Sequence, residues 1–598
     1  MGGDCSDGQR RCSGNAYEIC SEGQWATAQE CETACNADIG CVVCSPGNDV
    51  CADGNVHSCT PTGEIGPVVT ECTGQEVCQS GQCVNACEEA AENRSYTGCE
   101  YWAVDLDNAV EVIGAQGSFD CILTPGAKNT TLPVCTNGTA VAGLCDPPGN
   151  SCPSGYTCQS TAVCVLDAQG SPFAIVVSNP QARAVDVTVT GPNDETFTRS
   201  IAAGQVQALM PQPPGMPALI PDQSVDGTGT ARKAYKVTST LPIIAYQFNP
   251  LDNVNVFSND ASLLIPRTAF DTDYYVMSYP TLERRTPAPG NHPYYGYVSI
   301  VAWEDGTEIE VTPTAAVQAS ATQTSIAAGT PTMFTLNAHE VLTLQASGVG
   351  DLTGTRVRST NAKTFGVFGG HEAAAFGETT PPSPGQSGPC CADHVEEMLF
   401  PTSTWGKSFA ITRSQSRGTN EPDLLRIMAQ KPGTTVTFNP APASGSCGTL
   451  GAGEYCQVKI SGDTAITANE PILVGHYLQS AIWQDFLGGS VGEGDPSMAI
   501  AVPTEQYRND YTILVPNAYT KNFLSISAPA GGTVFVDGAQ VSLTPFAGGA
   551  FAGTRMMVAA GQHKVTCPSG CGITVYGYSD AVSYMFAGGL DLKQIVIQ

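Results

Sequence analysis

The sequence predicts an all-β protein: tandem antiparallel β-sandwich-like modules preceded by small disulfide-rich modules. Two observations carry that prediction. A two-part apolar string recurs four times, as YKVTSTLPIIAYQFN from Tyr235, VRSTNAKTFGVFGGH from Val357, VKISGDTAITANEPILVGHY from Val458 and HKVTCPSGCGITVYGYS from His563. Of 26 cysteines, 20 lie at or before Cys164. Each string has an alternating run, a break at Ser, Asn, Pro or Gly, and a second apolar run, a pattern that reads as a β-hairpin. Four copies at similar spacing mean four related modules.

The N-terminal cysteines divide into two copies of one six-cysteine unit, predicted as modules 1–43 and 44–86. Cys5, Cys12 and Cys20 repeat the spacing of Cys44, Cys51 and Cys59, and Gly-Asn follows the second cysteine in both. Units of about 40 residues bury too little apolar area to fold unaided, so cross-links replace a core. Their connectivity is open from sequence. Zinc is the competing reading, because Cys41 and Cys44 have ligand spacing.

The first β module is predicted over 87–262, with a third six-cysteine cluster inserted at about 115–168 and Cys87 and Cys99 paired at the junction. Modules two to four follow at 263–400, 401–500 and 501–598. Each repeats three strands: Tyr101–Leu106, Phe173–Val177 and Val185–Thr190 correspond to runs beginning at Tyr274, Tyr297 and Glu308, at Ser408, Leu424 and Thr435, and at Tyr511, Phe523 and Thr533. Cys447 with Cys456, and Cys567 with Cys571, enclose short glycine-containing segments and are expected to close local disulfides. Tandem sandwiches are preferred to a closed propeller because each unit exceeds the usual blade of about 40–50 residues. No segment has a convincing helical period.

Composition limits the function classes. Lys plus Arg total 26 against 56 Asp plus Glu, a net charge of −30. Such a surface repels phosphate backbones, so nucleic acid is excluded as a partner. No apolar run reaches the roughly 20 residues of a transmembrane helix. The even cysteine total and its density assign the chain to the cell surface or the extracellular space, with the secretory leader missing before Met1.

No nucleophile elbow, phosphate loop, dinucleotide fingerprint or zincin motif is present. The densest polar constellation is Gly369-Gly370-His371-Glu372 with Cys390-Cys391-Ala392-Asp393-His394-Val395-Glu396-Glu397. His371, His394 and Glu397 are the candidate metal ligands or catalytic groups, set against a structural reading in which they fill a polar corner. Asp105-Leu106-Asp107-Asn108 and the stretch Leu251-Asp252-Asn253-Val254-Asn255 are candidate calcium loops, although neither has EF-hand spacing. No cofactor is therefore expected, with calcium and zinc as the alternatives.

The run from about Lys233 to Gly589 resembles the N-terminal domain of the IgGFc-binding proteins, in a form found in secreted bacterial proteins. Ala245-Tyr246-Gln247-Phe248-Asn249-Pro250, Asn259 to Pro266, Asp351 to Thr355, Phe368 to His371, Asp393 to Glu397 and Thr404-Trp405-Gly406 carry the likeness. The resemblance implies a cysteine where Ala373 stands, bonded to one before the Asp-His pair. Here the adjacent Cys390 and Cys391 suggest a different closure, a vicinal disulfide. The reading that results is a secreted or surface-displayed, non-catalytic binding or adhesion protein that takes a protein or glycan ligand. A metal-dependent module or hydrolase centred on His371, His394 and Glu397, and a structural surface spacer, are the alternatives.

Overall fold

The long apolar strings fold as strands that serve two sheets at once. A computed structural model describes residues 5–595 apart from 32–33, 125, 146–151, 153, 252–257, 283–292, 377–391, 418–420, 481–492 and 581. In it Tyr235–Asn249 is one continuous strand. Its first half pairs with Gly98–Ala103 and Val185–Thr190, and its second half with Ala174–Ser178 and Asp260–Leu263. The hairpin reading of these strings is thereby corrected: their two runs do not pair with each other. The break at Leu241-Pro242 is where the chain passes from one sheet to the next, and proline suits that point because it has no N–H to give a ladder. Burial follows the same division. The first run alternates between buried and half-buried residues, and everything from Leu241 to Asn249 is buried. Alternation marks a sheet with one wet face, and a continuous apolar run marks a sheet covered on both.

Three further sets of strands repeat this plan. In the second, the string is split into Arg356–Ser359, paired with Asp273–Tyr275 and Thr307–Thr312, and Phe365–Ala374, paired with Gly296–Ala302 and Asp393–Met398. In the third, Thr464–Leu478 pairs with Gly406–Ile411 and Val436–Asn439, then with Asp423–Ala429 and Ser497–Ile500. In the fourth, Gly561–Ser579 pairs with Arg508–Val515 and Val534–Val536, then with Lys521–Pro529 and Val582–Ala587.

The last strand of each set is an inner strand: Asp260–Leu263, Asp393–Met398, Ser497–Ile500 and Val582–Ala587, every described residue of them buried. The first packs against the second and the fourth, and the third packs against the same two, so the four sets close into a ring. After each of the first three comes an identical corner. Pro266, Pro401 and Pro503 lead into the 3-10 turns Arg267–Ala269, Thr402–Thr404 and Thr504–Gln506, which end on Phe270, Trp405 and Tyr507. The ring shuts where the chain's last described segment meets the first module: Tyr96 N–H donates to Leu590 O at 3.1 Å, and Leu592 N–H to Arg94 O at 2.7 Å.

The cysteine-rich residues 1–92 belong to a separate compact unit. Each of its two repeats has a three-stranded sheet. The first repeat bonds Cys5–Cys20, Cys12–Cys35 and Cys31–Cys41, and the second bonds Cys44–Cys59, Cys51–Cys78 and Cys72–Cys83. The order is first to third, second to fifth and fourth to sixth in both. Cys41 and Cys44 are thus held in different disulfides, which removes the zinc reading of that pair. The insertion in the first module is a four-stranded sheet with another order, Cys121–Cys164, Cys135–Cys152 and Cys145–Cys158. Cys447 is bonded to Cys456 and Cys567 to Cys571. Cys87 and Cys99 are each disulfide-bonded, and Cys390 and Cys391 lie outside the described residues. Two short helices escaped the sequence reading, Ala86–Asn93 and Phe119–Leu123; the first is the longer. Asn85 caps Ala86–Asn93, its Oδ1 accepting from Cys87 N–H at 3.0 Å, and Glu88 and Glu89 sit favourably in the first turn.

Peptide mapping of the unreduced protein should recover the same linkage order in residues 5–41 and 44–83 and a different one in 121–164. A shared order in all three clusters would contradict this topology.

Candidate functional site at the centre of the ring

The inner strands carry polar side chains where a sandwich core would normally hold aliphatic ones. Asp260 is the hub. Its Oδ1 accepts from Ser497 Oγ at 2.7 Å and Met585 N–H at 3.4 Å, and its Oδ2 from Met498 N–H at 3.3 Å and Glu396 N–H at 3.4 Å. One carboxyl group of the first module therefore binds the inner strands of the other three. Ser262 adds a second tie: its Oγ accepts from Met398 N–H at 2.7 Å and lies 3.1 Å from Glu397 Oε2. Gln247 Nε2 donates to Glu396 Oε2 at 3.2 Å. Asp260, Glu396 and Glu397 are all pushed well above the carboxylate range, first by burial and next, for both glutamates, by the charge of Asp260.

The three candidate ligands sit in this core as structural groups. His371 is fully buried; its Nδ1 accepts from Ala373 N–H at 3.1 Å, so its Nε2, 3.0 Å from Pro280 O, carries the proton. His394 Nε2 lies 3.3 Å from Glu396 Oε2. Burial depresses both rings, His371 to about 4 and His394 to about 3, so both are neutral at physiological pH. His371, His394 and Glu397 do not bring three ligand atoms together: among the described residues the one set of three His, Cys, Asp or Glu ligand atoms within 4.8 Å is Cys135, Cys145 and Cys152. Those sulfurs are in disulfides. The first candidate calcium loop is used internally as well. Asp107 Oδ2 accepts from Gly227 N–H at 2.8 Å and Gln345 Nε2 at 2.7 Å, and Asn108 Oδ1 accepts from Ser258 Oγ at 2.9 Å. Of the second loop, Asp252 to Asn255 lie outside the described residues.

Two buried arginines join neighbouring modules. Arg426 of the third donates to Ser278 O at 2.9 Å, Thr353 Oγ1 at 2.9 Å and Asp351 Oδ2 at 3.0 Å, and lies over the rings of Tyr279 and Tyr455 at 4.1 and 4.7 Å. Burial pushes the Asp351 carboxyl up, but Arg426 and Thr353 outweigh it and hold the group below its usual range. Arg417 pairs with Glu421 and lies 5.2 Å over Tyr578 of the fourth module.

The model of the family described as IgGFc binding protein matches residues 260–577, just over half of the chain. The chain belongs to that family. A human relative, IgGFc-binding protein, is 25% identical over 339 residues, which cover 55% of this chain and 6% of that protein's length. No solved structure matches. The matched span begins at Asp260, the hub residue, and takes in the inner strands of the second and third modules.

Sequence reasoning singled out His371, His394 and Glu397 but assigned no role to Asp260, Asp495 or Arg426. A signal for one was present. Asp393 and Asp495 both stand eight residues before the corner prolines Pro401 and Pro503, which marks them as equivalent positions of a repeat.

The raised carboxyls give a pH dependence whose sign is fixed. Asp260, Glu396 and Glu397 keep protons that the unfolded chain releases near pH 4, so the stability they contribute is complete below that pH and is lost as pH rises. The depressed histidines act oppositely, but only below their unfolded value of about 6.5. Above that value the carboxyls act alone, and stability falls as pH rises until their folded range has been passed. Urea unfolding should show stability falling between pH 7 and 9, and Glu396→Gln should make the fall shallower. A flat profile in the wild type would remove the argument.

Proposed function

We propose that this chain is a secreted or cell-surface, non-catalytic binding protein, that the four strand sets are its four β domains, and that its ligand is a protein. The observation that carries this reading is the burial of its chemistry: His371, His394, Glu396 and Glu397 are at most 1% exposed, and the two glutamates bond to Gln247 and Ser262 of the neighbouring module. Groups so enclosed do not reach a substrate. The relative's name gives binding of the immunoglobulin Fc region as the first ligand to test. The high cysteine density, the extensive disulfides and the lack, among the described residues, of a helix long and apolar enough to cross a membrane support the extracellular placement.

A candidate contact point is the insertion of the first module. Its short helix Phe119–Leu123 exposes Phe119 and Ile122 at 74% and Leu123 at 61%, beside the disulfide that anchors Cys121 to Cys164. Clustered large apolar side chains left in water mark recognition surfaces. Biolayer interferometry of the oxidised chain against Fc and a panel of secreted glycoproteins should give saturable binding. Changing Phe119, Ile122 and Leu123 together to serine should weaken it at least about tenfold, a loss of roughly 1.4 kcal/mol. Binding only to free glycans, with proteins silent, would move the reading to a lectin; no binding at all would favour the spacer.

A further inference from the structure

The ring centre holds more buried acceptor oxygens than it has donors to satisfy. Among the described residues no donor reaches Asn259 Oδ1 or Asp393 Oδ2, the carboxyls of Asp393 and Asp495 meet each other with Ser583 beside Asp495, and all three residues are fully buried. These groups are neighbours. Asn259 N–H donates to Asp393 Oδ1 at 2.6 Å, and Asp393 is pushed well up, first by burial and then by the charge of Asp495 beside it. The other side of the cluster is closed by the fourth module. Asn259 Nδ2 donates to Tyr519 Oη at 2.9 Å, Tyr519 Oη to Ser583 O at 3.3 Å, and Asp495 N–H to Ser583 Oγ at 2.8 Å. The cation acting on Asp495 is Arg417, whose guanidinium is already engaged by Glu421 and by the carbonyls of Gln479 and Glu493.

A proton shared by the two carboxyls engages one oxygen of each and leaves Asn259 Oδ1 bare. A cation satisfies all three side chains and neutralises both carboxylates in a region where an uncompensated charge is costly. We propose that Asp393, Asp495 and Asn259 ligate a calcium ion between the first three modules. The donor set decides the metal. It is all oxygen, which disfavours zinc, and it is irregular, which suits the flexible coordination of calcium and not the near-ideal octahedron of magnesium. The three residues come from three different modules, each standing at or just before its inner strand, so the ion acts as a clamp on ring closure. His371, His394 and Glu397 take no part in it, and the proposal does not rest on the binding function.

The test uses the full oxidised chain, purified in millimolar calcium and desalted into chelator-treated buffer. Mass-spectrometric metal analysis should find close to one calcium per chain, with none in Asp393→Asn or Asp495→Asn. The thermal midpoint should be lower after unfolding and refolding in chelator than in calcium, magnesium should not restore it, and Asp495→Asn should abolish the difference. If a variant fails to fold, the metal content and chelator response of the wild type still decide. Absence of calcium with identical midpoints, or calcium retained in both variants, overturns the proposal.

Discussion

The fold depends on one buried carboxyl group. Asp260 sits at the junction of four inner strands and receives a hydrogen bond from each of the other three. A two-sheet module can bury an aliphatic core alone, and the third module does so with Phe409, Leu425, Ile427, Val458, Ile466 and Val474. Hydrophobic burial is non-directional, so it does not fix how four such modules meet. Directional donors aimed at one acceptor do. Leaving Asp260 unsatisfied would cost more than any apolar contact at the same spot could return. The polar centre therefore specifies the closed ring, while the aliphatic cores hold each module together.

Different parts of the chain solve the stability problem in different ways. The repeats of residues 1–92 have short sheets and three cross-links each, as small units with little core require. The modules have continuous buried strands and add two local disulfides that contribute little to closure. Between modules the ties are polar and cationic. A chain with only 26 basic residues against 56 acidic ones places two of its arginines against aromatic rings, Arg417 over Tyr578 and the buried Arg426 over Tyr279 and Tyr455. The planar guanidinium suits this role because it donates in several fixed directions and still stacks on a ring, which an ammonium group cannot do.

Much of this was legible in the residues. The four strings, the three strands per module and the inserted cysteine cluster are periodic or spaced features, and period-2 burial writes itself into sequence. The pairing of the strings was not. A break at Leu241-Pro242 looks the same whether the chain reverses or continues into a second sheet, because only the partners differ, and they lie up to about 140 residues away at Gly98–Ala103. The site was half legible. His371 and His394 stand out as histidines in a dense polar constellation, yet their depressed pKa values come from burial that no local pattern reveals. In the sequence Asp260 is only part of Asn259 to Pro266, a segment of the family likeness, with nothing local to mark it as an acceptor for three other strands.

A ring closed in this manner constrains what the protein can do. Its titratable side chains are consumed in holding four modules at fixed angles, and each inner strand is covered on every side. Catalysis needs reactive groups that face a substrate and change protonation at working pH. The enclosed histidines and glutamates of this centre face one another and not solvent. Binding makes the opposite demand: a surface held still, so that little conformational entropy is lost on association. Four sandwiches locked through a common polar centre meet that demand, and the insertion, pinned by three disulfides, extends from such a base. The arrangement that encloses these groups is thus the same one that holds the outer sheets in place.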